Sequence, residues 1–170
     1  DEIPNEELLK SLDKIRQKDK LDKCYALTRR SCAFGQNFKY GVLRPDKVIR
    51  VFPRKKVSWV GKVHERPICE LPVEELLGFV KHYTYDSWEQ YYKKFNSYTS
   101  IWAQDAYVKG KRTTLANAYA HAVGGFLQMA ILKKGILDGW LGLVLCCNHF
   151  MYTLIKYLKL LENQKKYIRS

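Results

Sequence analysis

The chain has 170 residues, 46% of them hydrophobic, and a formal net charge of +13 at pH 7. That length supports a domain with its own core, and that hydrophobic share excludes global disorder. The charge favours polyanionic partners, namely nucleic acid, anionic lipid headgroups or phosphorylated substrates, without choosing among them.

The first residues, Asp1-Glu2-Ile3-Pro4, lack an initiator Met and read as a sequence cut inside a larger domain. Pro4 to Gln17 reads as an amphipathic helix with Leu8, Leu9, Leu12 and Ile15 on one face. Lys18 to Lys23 is a charged connector, and Cys24 to Phe34 alternates as a strand does. Gln36 to Asp46, with Gly41 and Pro45, reads as a loop. Val48 to Phe52, Val57 to Val63 and Phe79 to Tyr85 are further strands. Their ends carry Arg50, Arg54, His64, Glu65 and His82.

The character changes after Asp86-Ser87. Trp88, Tyr91, Phe95, Tyr98 and Trp102 recur at three- and four-residue steps along one helix face. That stripe is either a core seam or an aromatic belt at a membrane interface. A second helix spans Thr114 to Leu132 and stops at Lys133-Lys134-Gly135. A third spans Asp138 to Asn163, with Trp140, Val144, Cys147, Met151, Leu154, Leu158 and Leu161 in steps of four and three. Gly139 to Ile155 carries no formal charge, yet it falls short of the roughly 20 apolar residues of a spanning helix. The expectation is helices that lie on or dip into an anionic bilayer, flanked by Lys133, Lys134, Lys156, Lys159, Lys165 and Lys166. A hairpin packed on the sheet or on a second subunit would use the same apolar faces.

The five cysteines, Cys24, Cys32, Cys69, Cys146 and Cys147, show no C-x-x-C and no zinc spacing. Cys146 and Cys147 read as small core hydrophobes, and a reducing, cytoplasmic setting follows. No dinucleotide fingerprint, P-loop or nucleophile elbow is present.

The order of short motifs resembles the C-terminal half of inverting family-2 glycosyltransferases of the bacterial lipopolysaccharide-core type. Asp1-Glu2 matches the end of that family's Asp-Ala-Asp-Glu motif. Pro45-Asp46, Arg50-Val51-Phe52 with Arg54, and Trp59-Val60-Gly61-Lys62-Val63-His64-Glu65 follow in order. Then come His82-Tyr83-Thr84-Tyr85-Asp86-Ser87 and Lys94-Phe95-Asn96-Ser97-Tyr98. Gly135-Ile136-Leu137-Asp138-Gly139-Trp140-Leu141-Gly142 and Lys156-Tyr157-Leu158-Lys159-Leu160 complete the series.

The resemblance implies an α/β fold: residues 1–86 as the C-terminal part of a GT-A catalytic domain, with a partial mixed sheet, and residues 87–170 as a helical, membrane-associating or packing region. It implies transfer of a sugar from a nucleotide-sugar donor, a UDP-sugar, to a lipid-linked oligosaccharide acceptor at the inner face of the cytoplasmic membrane. It places the nucleotide-binding strands in a half that precedes this chain. Glu65 is then the candidate base for the acceptor hydroxyl. Asp1 and His64 are candidate ligands for a divalent cation, Mg2+ or Mn2+. Arg50 and Arg54 would clamp the donor diphosphate, and Trp59 would stack on the acceptor sugar. Surface or core roles remain open for each: a solvated carboxylate for Glu65, a helix cap for Asp1, a half-buried imidazole for His64, a core ring for Trp59. His82, His121 and His149 read as structural. From another class, Lys93, Lys94, Phe95, Tyr98, Lys109, Lys111 and Arg112 mix cations and aromatics as single-strand nucleic-acid binders do. No nucleic-acid motif accompanies them, which sets that partner below the lipid-linked one.

Overall fold

The computed structural model describes residues 2–18, 20–60 and 66–166. The chain is mixed α/β, with a mixed sheet and four helices. It divides into two compact units. One comprises Asp1–Lys39 and Leu43–Asp86, the other Tyr40–Val42 and Ser87–Ser170.

The first unit is built on β2 (Cys24–Ala33) and β7 (Val73–Tyr85), which run parallel. A short strand β1 (Glu2–Pro4) adds antiparallel to β7, pairing Glu2 with His82. Strand β4 (Asp46–Val51) pairs with β2 over Tyr25–Arg29, and β3 (Gln36–Asn37) pairs with it at Cys32–Ala33. The sequence pattern places the β2 and β4 cores correctly. It puts Pro4 inside a helix, whereas Pro4 ends β1 and helix α1 begins later (Glu6–Arg16). Asn5 marks that boundary. Its side-chain oxygen accepts from Leu8 N at 3.1 Å, the usual N-cap bond, and also from Phe79 N at 2.9 Å. One amide therefore starts the helix and ties it to β7. Leu8 and Leu12 pack there on Leu27, Val48, Leu76 and Val80. Gly78, at φ +93°, allows this approach, because a Cβ at that position would strike the backbone of Leu8.

Strands β5 (Val57–Val60) and β6 (Arg66–Cys69) form a separate antiparallel hairpin. A disulfide joins Cys69, at its end, to Cys24 at the start of β2. The cysteine spacings do not point to this pair. Their partnership spans 45 residues, so no short spacing announces it. Cys147 is exposed, against the core position expected of it, while Cys146 is buried.

The second unit holds helices α2 (Trp88–Val108), α3 (Leu115–Leu127) and α4 (Gly139–Lys166). Ser87 caps α2 by accepting from Gln90 N at 3.1 Å, and Thr114 caps α3 by accepting from Asn117 N at 3.2 Å. Alanines on α2 and α3 (Ala103, Ala106, Ala118, Ala122) let the helices close on Leu154, Tyr157 and Leu160 of α4. Three rings of the α2 aromatic stripe, Tyr91, Phe95 and Trp102, face inward, while Tyr98 is exposed. Phe95 meets Tyr152 edge-on at 5.4 Å, and Trp102 meets Tyr157 at 4.9 Å.

By length and composition the segment Gly135–Lys165 is long enough to cross a membrane, more than the uncharged stretch to Ile155 suggests. The exposure of its sequence stripe changes along the helix: Trp140 is 70% exposed and Leu154 only 7%.

The Gly135–Gly142 motif is a tight turn into α4. Asp138 accepts from Tyr40 N at 2.8 Å, and Gly41 N donates to Lys133 O at 2.9 Å. A side chain on Gly142 would collide with the Gly135 carbonyl. Glycine there serves close backbone approach.

Candidate functional site

Strand alternation sorts the cations of the sheet. On β2, Arg29 and Arg30 point to opposite faces; on β7, Lys81 and His82 do the same. Arg29 and His82 fall on the face shared with Glu2, and the pairing of β1 with β7 sets Glu2 directly beside His82. The Glu2 carboxylate accepts from Arg50 Nη2 at 2.9 Å. It lies 3.8 Å from His82 Nδ1 and 4.0 Å from Arg29 Nη1. Arg29 in turn donates two parallel bonds to Asp46, at 2.9 and 2.7 Å. The hydrogen bond from Arg50 is the main force holding the Glu2 carboxyl below its ordinary range. Asp46 raises the basicity of Arg29 in the same way.

One residue from each of three motifs far apart in the chain therefore meets here: Glu2, Arg50 and His82. Sequence reasoning missed Glu2 and Arg29 and assigned His82 a structural place. The available signal was the strand pairing of β1, too short to be seen as a strand. Arg50 gives one donor to Glu2 and remains 43% exposed, so its other donors face outward.

The opposite face of the sheet carries a cavity of about 470 Å³ lined by Arg30, Asn37, Phe38, Lys39, Pro45, Phe79 and Lys81. The Arg30 guanidinium lies 3.8 Å over the Phe79 ring. Aromatic floor and cationic rim suit a ring with an anionic substituent.

Arg54 stands exposed on a single 3-10 turn, Arg54–Lys56. Trp59 on β5 is 56% exposed, with its ring edge-on to Phe52 at 6.1 Å. It is not a core ring, and its free face is open for stacking. Asp1, His64 and Glu65 lie outside the described residues, as does the stretch of the expected strand beyond Val60. The two residues named for a divalent cation are among them. Among the described residues no group of three His, Cys, Asp or Glu side chains converges to hold a metal ion.

Two motif residues of the helical unit meet each other. Lys159 Nζ donates to Asn96 Oδ1 at 2.7 Å, to Thr99 Oγ1 at 2.8 Å and to Ser100 Oγ at 2.7 Å, locking α4 to α2. Their role is assembly. Phe95, counted among bases-stacking candidates, has its ring against Tyr152 within the helical unit. No protein-family model matches the chain, and no solved structure matches it.

Proposed function

We propose that this chain is the acceptor-side part of an inverting, nucleotide-sugar-dependent glycosyltransferase of GT-A type, working on a lipid-linked glycan at a membrane surface. The observation that carries the reading is the convergence of Glu2, Arg50 and His82, drawn from three motifs of the resemblance, within 4.0 Å. In this reading the acceptor hydroxyl oxygen attacks the anomeric carbon of a UDP-sugar. The bond from that carbon to the diphosphate breaks, and Glu65 takes the hydroxyl proton. Arg50 and Arg54 offer N–H donors to the departing diphosphate, and Trp59 stacks on the acceptor. Asp1 and His64 are the residues that would hold a divalent cation, which supplies charge neutralisation at the diphosphate when bound.

The membrane part of the reading rests on a second surface. On α3 and the turns after it, Leu115, Tyr119, Val123, Leu127, Ile131 and Leu132 are exposed; on α4, Trp140, Leu143 and Met151 are. The α3 series steps by four, so it forms one stripe. Nearby Lys133 and Lys134 supply the charge that anionic headgroups attract. A contiguous apolar face of this kind marks an interaction surface, and lipid matches both its chemistry and the basic flank.

In the full-length protein, Glu65→Gln should lower the transfer rate about 100-fold or more, the scale of general-base loss, with donor affinity kept. Near-normal turnover would remove Glu65 from the mechanism. The Cys24–Cys69 bond points the other way from a reducing compartment, since disulfides persist mainly in oxidising ones. Thiol counting after rapid acid quench of cells decides it: a cytoplasmic-face enzyme should yield both as free thiols.

A further inference from the structure

The helical unit contains a second cavity, of about 330 Å³, between α3 and α4. Its walls are polar: His121 and Gln128 on the α3 side, His149, Thr153, Lys156 and Tyr157 on α4. Ala120, Gly124 and Gly125 complete the lining. A Cβ on Gly125 would touch Thr153 Oγ1 and His149 Nε2 at 3.3 and 3.4 Å, so this glycine brings α3 onto the polar side of α4. A Cβ on Gly124 meets nothing within 4 Å.

The electrostatics of this groove are one-sided. Lys156 Nζ sits 4.8 Å from the Trp102 ring centroid and 5.8 Å from that of Tyr157. Lys111 Nζ sits 5.1 Å from the same Trp102 ring and donates to Tyr157 Oη at 3.1 Å. His121 stacks on Tyr157, with centroids 4.7 Å apart and planes 6° apart. The acidic residues of 87–170 are Glu89, Asp105, Asp138 and Glu162. Among the described residues none forms an ion pair with Lys111 or Lys156, and Asp105 is engaged by Lys109. Burial first, and then Lys111, lowers the basicity of Lys156; burial and Lys156 lower that of His149. Cations gathered without a carboxylate are relieved by a bound anion. The Trp102 and Tyr157 rings keep the two ammonium groups in place meanwhile.

We propose that the α3–α4 groove is a binding site for a phosphoryl group, held by Lys156, His121, Gln128 and Thr153. The side chains there are donors suited to tetrahedral oxyanions: an ammonium, an amide, a hydroxyl and imidazoles. The site is separate from the exposed apolar stripe. His121 lies two residues from both Tyr119 and Val123, and His149 two from Cys147 and Met151. Two residues are about 200° of helix, so the groove opens on the other flank of each helix. The site does not depend on the transferase reading, because its test involves no sugar transfer.

The test is a calorimetric titration of the full chain with inorganic phosphate against chloride at matched ionic strength. Two variants accompany it: Lys156→Gln, and Gly124→Asp, which sets a carboxylate into the groove where the backbone has room. Wild type should bind phosphate saturably. Gly124→Asp should weaken it at least about tenfold, since like charges in contact cost several kcal/mol, with its thermal melt unchanged. Lys156→Gln should weaken it comparably. Vesicles of phosphatidylcholine with phosphatidic acid then identify the source. Competition with inorganic phosphate places the phosphoryl group on a lipid, and absence of competition places it on a soluble molecule; the site stands in both cases. Wild-type phosphate binding no tighter than chloride, or a folded Gly124→Asp protein that binds phosphate like wild type, would overturn the proposal.

Discussion

The two units differ in how they partner most of their cations. The sheet unit holds five cation–carboxylate pairs: Lys23 with Glu74, Arg29 with Asp46, Lys47 with Glu75, Arg50 with Glu2 and Lys56 with Glu70. In the helical unit Lys109 pairs with Asp105, and other cations rest on rings or neutral oxygens: Lys111 and Lys156 on Trp102, Arg112 on Tyr107, Lys159 on Asn96 and its neighbours. Arg29 and Asp46 are direct cross-strand neighbours on β2 and β4, where opposite charges are favoured. Lys111 and Lys156 face aromatic rings instead. Residues 87–170 carry twelve Lys and Arg against four Asp and Glu, so most of the positive charge there has no carboxylate to match it. The same contrast holds for apolar surface. The sheet unit covers its β7 face with α1, and the helical unit leaves a stripe of α3 and α4 open.

The largest effect that tests this contrast is at Leu154. Leu154→Ala removes a core side chain of the helical unit and should cost about 2–5 kcal/mol, read as an early loss of near-ultraviolet circular dichroism. The triple change of Trp140, Leu143 and Met151 to Ser should leave folding within about 1 kcal/mol, because exposed positions contribute little. It should abolish sedimentation with anionic vesicles. If the triple variant unfolds instead, the open stripe is core and the contrast fails.

Next in size is Asn5→Ala. It removes the α1 cap and the acceptor for Phe79 N together, and should cost about 1–2 kcal/mol in urea melts. Asn5→Asp should recover most of it. A loss below a few tenths would show that α1 is not fastened there.

The smallest effect concerns the Glu2 cluster. Its carboxyl is held below the ordinary value of 4.5, first by the Arg50 hydrogen bond. A depressed folded-state pKa contributes stability that is complete above the unfolded value and is lost as pH falls through the folded one. The wild type should therefore lose this contribution from about pH 4.5 downward, and Glu2→Gln should lack that component of the acid sensitivity. For a part-exposed pair the difference at neutral pH should be about 1 kcal/mol or less and should shrink with salt. Parallel acid curves for the two proteins would detach Glu2 from the stability of the sheet.

Long periodic segments were legible in the sequence, and short pairings were not. The helices α1 to α4 follow from apolar spacing, which is a local fact. Strand β1 has three residues and β3 two, too few to show alternation, and both exist because β7 and β2 offer edges. The same blindness hid the candidate site. Arg50 was visible as a cation at a strand end, but its partners Glu2, Arg29 and His82 are brought to it by register. The groove between α3 and α4 was hidden differently. His121 and His149 have no metal spacing, and what joins them is the packing of two helices permitted by Gly125.

The hydrogen bonds from Tyr40 N to Asp138 and from Gly41 N to the Lys133 carbonyl also bear on how the chain is made. The helical unit is discontinuous in sequence: its first three residues leave the ribosome long before the helices they serve. The Tyr40–Asp138 contact closes a separation of 98 residues. Contacts of such range form late and slow folding, because a long loop must be closed before they give any return. A fragment cut at Ser87 would carry α2, α3 and α4 and still lack these two donors. The helices therefore complete their turn into α4 only with a segment synthesised well ahead of them.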